Sequence, residues 1–222
     1  MSNIYTKEFY QNQQNGSYIA AKHIIPIIKQ YLDFNTVIDV GCGVGTWMKA
    51  FNEFGCYAYG CDGRYALEAE HYFQEDCFFQ IDLENQRFNV NMKCDLAISL
   101  EVAEHLSSER ALTFVEDMTN LADVIVFSAA IPGQGGTNHI NEQPMTYWLN
   151  LFSKFDFVPV DCIRPLIWNN KAIEVWYRQN IILLIKKDKL LSFPKIFKYY
   201  LEHNDSEIYD IIHPEFFRAF RF

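Results

Sequence analysis

The sequence predicts one α/β domain built on a doubly wound, seven-stranded sheet that is mostly parallel with an antiparallel last strand, and with helices on both faces. Three observations lead there. Short β-branched or wholly apolar runs alternate with amphipathic stretches as far as Pro132. A glycine-rich turn, VGCGVGT, stands at the first junction of strand and helix. Two further extended runs, DFVPVDCIRPLIW and EVWYRQNIILLIKK, are separated only by the polar link NNKAI. A parallel crossover takes about a dozen residues or more, so these two runs are expected as an antiparallel hairpin at the sheet edge.

The elements follow in order. Ile24, Ile25, Ile28 and Leu32 at helical spacing predict an amphipathic helix over 17–32, with Pro26 a place for a kink. TVIDV is the first strand, and TWMKAFNEFG is a helix closed by Gly55. YAYGCD, FFQIDL and CDLAISLE read as the second, third and fourth strands. SSERALTFVEDMTNLA is a helix with Ser107 or Ser108 as its N-cap, and the wholly apolar DVIVFSAAIP suits a fifth, central strand covered on both faces. Residues 188–222, aromatic with interspersed Lys, predict a helix or two packed on the same domain, which itself spans 1–187. Tyr5, Tyr10, Gln11 and Tyr18 suggest a helical lid at the N-terminus, ordinary surface packing being the alternative.

Composition limits the function. The 222 residues are 50% hydrophobic and 16% aromatic, which indicates a packed globular chain. A formal charge of -9 disfavours nucleic acid, because phosphate binding draws on a basic surface. The apolar runs are too short for a membrane span and the first residues lack an apolar signal core, so no membrane insertion is expected and the cytoplasm is the expected compartment. Six cysteines without a C-x-x-C pair read as reduced thiols.

Gly41, Gly43 and Gly45 let the chain turn sharply and let a ligand approach the backbone. A dinucleotide would place a pyrophosphate there and would favour glycine or alanine where Thr46 stands. It would also be repelled by Asp39. A cationic ligand, such as the sulfonium and ammonium groups of S-adenosylmethionine, is instead favoured by that carboxylate. Asp62, ending the second strand about twenty residues on, suits both hydroxyls of a ribose; a simple Asp-Gly turn is the plainer alternative. Asp82, in QIDL, suits either an adenine amino group, with Leu83 near the ring, or the cap of the next segment, and the residues leave both open.

Taken together, VIDVGCGVGTW, GCD, QIDL and CDLAISLEVAEHL resemble successive motifs of the class I S-adenosylmethionine-dependent methyltransferases, over roughly residues 37–187. The resemblance implies a Rossmann-like sheet with the seventh strand inserted antiparallel beside the sixth. It implies S-adenosyl-L-methionine as cofactor and S-adenosyl-L-homocysteine as product. The cofactor contacts it implies are Asp39, Gly41, Gly43, Gly45, Thr46, Trp47, Asp62, Asp82, Leu83, Leu100, Glu101 and His105. No D-P-P-Y, N-P-P-F or Pro-Cys run follows the fourth strand, which sets the nucleic-acid-methylating subclasses aside.

An alcohol acceptor needs a group to remove its proton. Glu101, Glu104 and His105 follow the fourth strand, where the family uses the run mainly for the cofactor. After the fifth strand, PGQGGTNHINEQPMTYW offers mobile glycines and then His139 as candidate base, Glu142 to orient it, and Asn141, Tyr147 and Glu104 as candidate acceptor contacts. A polar surface loop leading into a helix is the alternative. H-I-N-E-Q is similar to a pattern in bacterial methyltransferases associated with sugars and surface polysaccharides. A metal held by His139, Glu142 and Glu104 is an alternative, but no spacing such as H-x-x-x-H supports it and none is expected. The expectation is an O-methyltransferase for a small hydroxylated metabolite such as a sugar or sugar nucleotide, acting as monomer or homodimer. An N-methyltransferase on a small amine or amide and a non-catalytic module binding the same cofactor are the alternatives.

Overall fold

A computed structural model describes residues 7–88, 90–203 and 208–219, the side chains of 7–15, 218 and 219 excepted. Seven strands form one sheet: β1 (Thr36–Val40), β2 (Tyr57–Asp62), β3 (Phe78–Gln80), β4 (Leu96–Leu100), β5 (Val124–Ser128), β6 (Phe157–Val160) and β7 (Ile182–Lys186). Their order is β3-β2-β1-β4-β5-β7-β6. Every pairing from β3 to β5 is parallel, whereas β7 is antiparallel to both β5 and β6. This is the sheet predicted, antiparallel strand included.

Strand period two sends alternate residues to opposite faces. Val37, Ala58, Leu96, Ile98, Val126 and Leu183 meet α1 (Lys7–Tyr31), α2 (Thr46–Glu53) and α8 (Pro194–His203) on one side. Ile38, Cys61, Ala97, Ile125, Phe127 and Leu184 meet α4 (Ser108–Leu121) and α5 (Met145–Ser153) on the other. Two apolar faces on each central strand explain why these strands read as unbroken hydrophobic runs. Ser107 caps α4, its side chain accepting the Arg110 amide at 3.3 Å. In the C-terminal segment, fully buried Ile196 joins the α1 side of the core, and Tyr199 Oη donates to the Asp161 carbonyl at 2.9 Å.

Three expectations need correction. The first helix begins at Lys7 rather than near Ser17 and passes through Pro26. The third strand ends at Gln80, which leaves Asp82 on the following loop. The two C-terminal runs do pair antiparallel, but not as a hairpin: α6 (Arg164–Ile167) and α7 (Val175–Asn180) lie between β6 and β7. VWYRQN is therefore helical where a strand was expected. Its polar side chains are buried by specific bonds: Arg178 donates to the carbonyls of Ile173 at 2.9 Å and Trp168 at 3.1 Å, and to Glu215 at 2.7 Å. Such partners exist for a helix at the sheet's end and not for a strand inside an apolar sheet. Of the suggested lid, Tyr5 and the side chains of Tyr10 and Gln11 lie outside the described residues. Tyr18 packs toward α2, its hydroxyl donating to Glu53 at 2.6 Å.

Candidate functional site

The sheet order reverses between β1 and β4, so the chain leaves their carboxyl ends in opposite directions and opens a crevice. The candidate residues come to this edge. Gly41, Gly43 and Gly45 have φ of 84, 52 and 82°, the left-handed region that glycine enters without strain. Around them the space differs. A Cβ on Gly41 would stand 2.4 Å from Val102 Cγ2 and one on Gly45 2.6 Å from Phe73, whereas Gly43 has nothing within 4 Å. Gly43 is thus the point of the turn left open for a ligand.

Asp62 braces that turn. Its Oδ2 accepts the Gly43 amide and its Oδ1 the Gly63 amide, each at 2.7 Å, and the Tyr65 hydroxyl also donates to Oδ1. Asp39 lies beneath, 5% exposed. Burial, and then the neighbouring Asp62, hold its carboxyl well above the ordinary carboxylate range; burial also raises Asp62, against the pull of Tyr65 and the two amides. A carboxyl raised on folding binds its proton more tightly in the folded state. Its stabilising contribution is complete below the ordinary pKa of about 4 and is lost as the pH climbs toward the raised value. Thermal stability without ligand is therefore expected to decline with rising pH above about 4, and Asp39→Asn to flatten the decline. Melting temperatures across that range check this; parallel curves for the two proteins would remove Asp39 as a cause.

Asp82 is exposed on its loop, where Oδ1 accepts the amides of Glu84 at 3.1 Å and Asn85 at 3.2 Å. A bond from the Asn85 side chain, and then these amides, lower its pKa. Its carboxylate therefore caps a turn, and its own amide donates to Gln86 Oε1 at 3.0 Å. Arg110 of α4 holds this loop against the sheet, with its guanidinium on the Leu83 carbonyl at 2.8 Å and on Asp117 at 2.5 Å. Leu83, Leu100 and Trp47 are buried, as is Thr46, the first residue of α2.

Glu101 leaves β4 with φ 57°, a left-handed residue that is not glycine. Its half-buried carboxylate accepts Gln134 Nε2 at 2.8 Å and Asn180 Nδ2 at 3.0 Å, and Asn180 Nδ2 also reaches Gln134 Oε1 at 2.9 Å. The buried phenol of Tyr177 meets Ser17 Oγ at 3.1 Å and Trp47 Nε1 at 3.5 Å, and burial pushes its pKa up to about 12. Gln134, Tyr177 and Asn180 were not singled out from the sequence. Asn180 and Tyr177 were hidden by reading α7 as a strand, and Gln134 carried no motif.

The second cluster of candidate residues, around His139, is compact. Glu142 Oε2 accepts the Gly133 amide at 2.7 Å, while Oε1 accepts the Gly135 amide at 2.8 Å and lies 3.0 Å from His139 Nδ1. One carboxylate thus folds the glycine loop and fixes an imidazole. His139 meets His105 edge to face, ring centroids 4.8 Å apart, and His105 Nδ1 lies 3.3 Å from the Asn138 carbonyl. Burial, then His139, lower the His105 pKa. Glu104 is fully buried, with burial and then the charge of Glu101 raising its pKa well above the ordinary range. Its carbonyl accepts the amides of Ile140 at 2.9 Å and Asn141 at 3.0 Å, which ties the 3-10 turn Ala103–His105 to the loop. Asn141 is buried, its Oδ1 accepting from Gln143 Nε2 at 3.0 Å, and Tyr147 packs edge-on against Trp148 in α5.

No curated protein matches the chain. Among solved structures, the sugar N-methyltransferase KedS8 from Streptoalloteichus sp ATCC 53650 is similar at 13% identity and TM-score 0.61, over 84% of this chain and 97% of that one. Magnesium protoporphyrin IX methyltransferase from Synechocystis PCC 6803, with bound S-adenosylhomocysteine, is similar at 17% identity and TM-score 0.58, over 84% and 90%. An S-adenosylmethionine-dependent methyltransferase from Clostridium acetobutylicum ATCC 824 is similar at 12% identity and TM-score 0.55, over 80% and 94%. At these identities the likeness concerns the fold. A family model described as a methyltransferase domain matches residues 9–123, just over half of the 222 residues, and the chain belongs to that family of methyltransferase domains.

Proposed function

We propose that the protein is an S-adenosylmethionine-dependent O-methyltransferase for a small hydroxylated acceptor, a sugar or sugar nucleotide being the best match. The carrying observation is the His139–Glu142 pair, held at 3.0 Å on the loop that faces the glycine turn's edge of the sheet. The residues suit the cofactor. Gly43 is open above, the Asp62 carboxylate is held in place by two amides, and the buried Asp39 carboxyl lies where a ligand with positive groups would favour its ionised form. When bound, the cofactor supplies an electrophilic methyl group. The chain's own part is to seat the ribose at Asp62, to keep the buried carboxylate of Asp39 near the cationic end, and to deprotonate the acceptor hydroxyl through His139. Asn141 and Tyr147 are the proposed acceptor contacts, with Glu142 orienting the base rather than meeting the acceptor.

An acidic chain of charge -9 fits a small-molecule acceptor better than nucleic acid. Among the described residues no helix is long and apolar enough to cross a membrane. An amine acceptor is the second reading, since a neutral amine needs no base. Methyl transfer across a panel of free sugars, sugar nucleotides and small amines tests the proposal, with calorimetry for S-adenosylhomocysteine alongside. Methylation of hydroxyl acceptors is expected. Methylation of amines alone would replace the O-methyl reading, and no binding of S-adenosylhomocysteine at about millimolar concentration would indicate an inert module.

A further inference from the structure

Glu104 has 0% of its surface exposed, and neither oxygen of its carboxylate has a hydrogen-bond partner among the described residues. A buried carboxyl in a folded protein is ordinarily bonded to a donor or bound to a cation. Two imidazoles stand beside it instead, His105 on the same 3-10 turn and His139 on the loop that covers it. A carboxylate oxygen of Glu104 and one ring nitrogen each of His105 and His139 lie within 4.8 Å of one another. Both rings have Nδ1 engaged with an acceptor, the Glu142 carboxylate at 3.0 Å for His139 and the Asn138 carbonyl at 3.3 Å for His105. An Nδ1–H directed at an acceptor leaves the lone pair on Nε2, the arrangement by which carboxylates and carbonyls orient metal-bound histidines.

We propose that Glu104, His105 and His139 bind a divalent first-row transition ion through one carboxylate oxygen and two Nε2 atoms, with the remaining positions open to the acceptor hydroxyl. Two imidazoles and one carboxylate suit Mn²⁺, Fe²⁺, Co²⁺ or Zn²⁺. Ligand bonds of about 2.0–2.2 Å draw the three side chains closer together, and the glycines at 133, 135 and 136 let the loop that carries His139 follow. The residues are adjacent at 104 and 105 but distant at 139, so no short ligand spacing reveals them, and His105 takes the place that the sequence offered to Glu142, whose oxygens are held by the Gly133 and Gly135 amides. A single imidazole base would explain His139 alone; it leaves the second histidine and the unpartnered carboxylate without a purpose.

This inference rests on the O-methyl reading and changes how His139 serves it. An ion at this point lowers the pKa of a bound hydroxyl, whose proton leaves to solvent. The new bond joins the acceptor oxygen to the methyl carbon, the carbon–sulfur bond breaks, and the sulfonium becomes a neutral thioether. The products are a methyl ether, S-adenosylhomocysteine and one proton.

The test uses the full chain stripped with a chelator and titrated with Mn²⁺, Zn²⁺ and, for its absorption bands, Co²⁺. Saturable binding of one ion per chain is expected. Glu104→Gln and His105→Ala are each expected to weaken it by about 100-fold or more, since even groups that only orient a ligand cost 10–100-fold. His105 is exposed, so its variant does not endanger the fold, and a melting temperature equal to the parent's reports that the chain is intact. Binding that never saturates, or that both variants leave unchanged, would overturn the site. The two ideas separate cleanly. Hydroxyl methylation without ion binding retires the metal and keeps the O-methyl reading, whereas ion binding without hydroxyl methylation does the reverse.

Discussion

Replacing His139 by alanine is expected to lower methyl transfer to a hydroxyl by about 10²–10⁴-fold, the usual worth of a positioned proton-transfer group. Affinity for S-adenosylhomocysteine is expected to stay within about threefold, because an effect confined to turnover leaves ground-state binding alone. The loop that carries His139 is closed by Glu142, which accepts the amides of Gly133 and Gly135, so removing the imidazole leaves the loop's own bonds in place. Glu142→Gln keeps one acceptor oxygen and loses the charge, and it should cost less, about 10–100-fold. Single-turnover rates with calorimetry measure both. A His139→Ala rate within a few-fold of the parent would remove His139 from acceptor activation, by base or by ion.

Gly41 and Gly43 are expected to fail in different ways when changed to alanine. At Gly41 the new methyl would meet Val102 Cγ2 at 2.4 Å while the backbone holds φ 84°, so conformational strain and overpacking add to roughly 2–5 kcal/mol of lost stability. Val102→Ala in the same chain should return about 1–3 kcal/mol of this by removing the clash. Gly43 has φ 52° but no neighbour within 4 Å, so Gly43→Ala is expected to lose only about 1–2 kcal/mol of stability. Its methyl instead enters the space proposed for the cofactor and should weaken S-adenosylhomocysteine binding more than tenfold. Denaturant melts and calorimetry on the two variants give the comparison. Equal stability losses at both positions, with equal binding, would deny that Gly43 is the open point of the turn.

The donor side was legible because its residues are close in sequence and typed by conformation. Strand β1 must be apolar on both faces, and the positive φ at 41, 43 and 45 demands glycine. Asp62 was visible as the acidic end of the next strand, although its two amide bonds to the turn were not. The acceptor side was legible only in part. His139 and Glu142 are three positions apart and their pairing can be guessed, but Glu104 and His105 reach His139 only through the fold. The α7 segment misled for a physical reason. Val175, Trp176 and Tyr177 are apolar and run toward β7, while the bonds that bury Arg178, Gln179 and Asn180 come from residues such as Trp168, Ile211 and Glu215 that local pattern does not contain.

The bonds joining Glu101 to Gln134 and Asn180 form a seam between two stretches of chain. Before it lie Asp39, the glycines and Asp62; after it lie the loop with His139 and the pair β6–β7. The β5–β7 ladder and the bonds from the Ile140 and Asn141 amides to the Glu104 carbonyl cross the same boundary, so an exchange of halves has to preserve them as well. A chimera that takes residues after 128 from a relative, while keeping a glutamate at 101 matched by amides at 134 and 180, is expected to change acceptor preference and to leave the glycine turn as it is. Glu101, left-handed at the end of β4, is the residue at which the two stretches meet through side-chain amides.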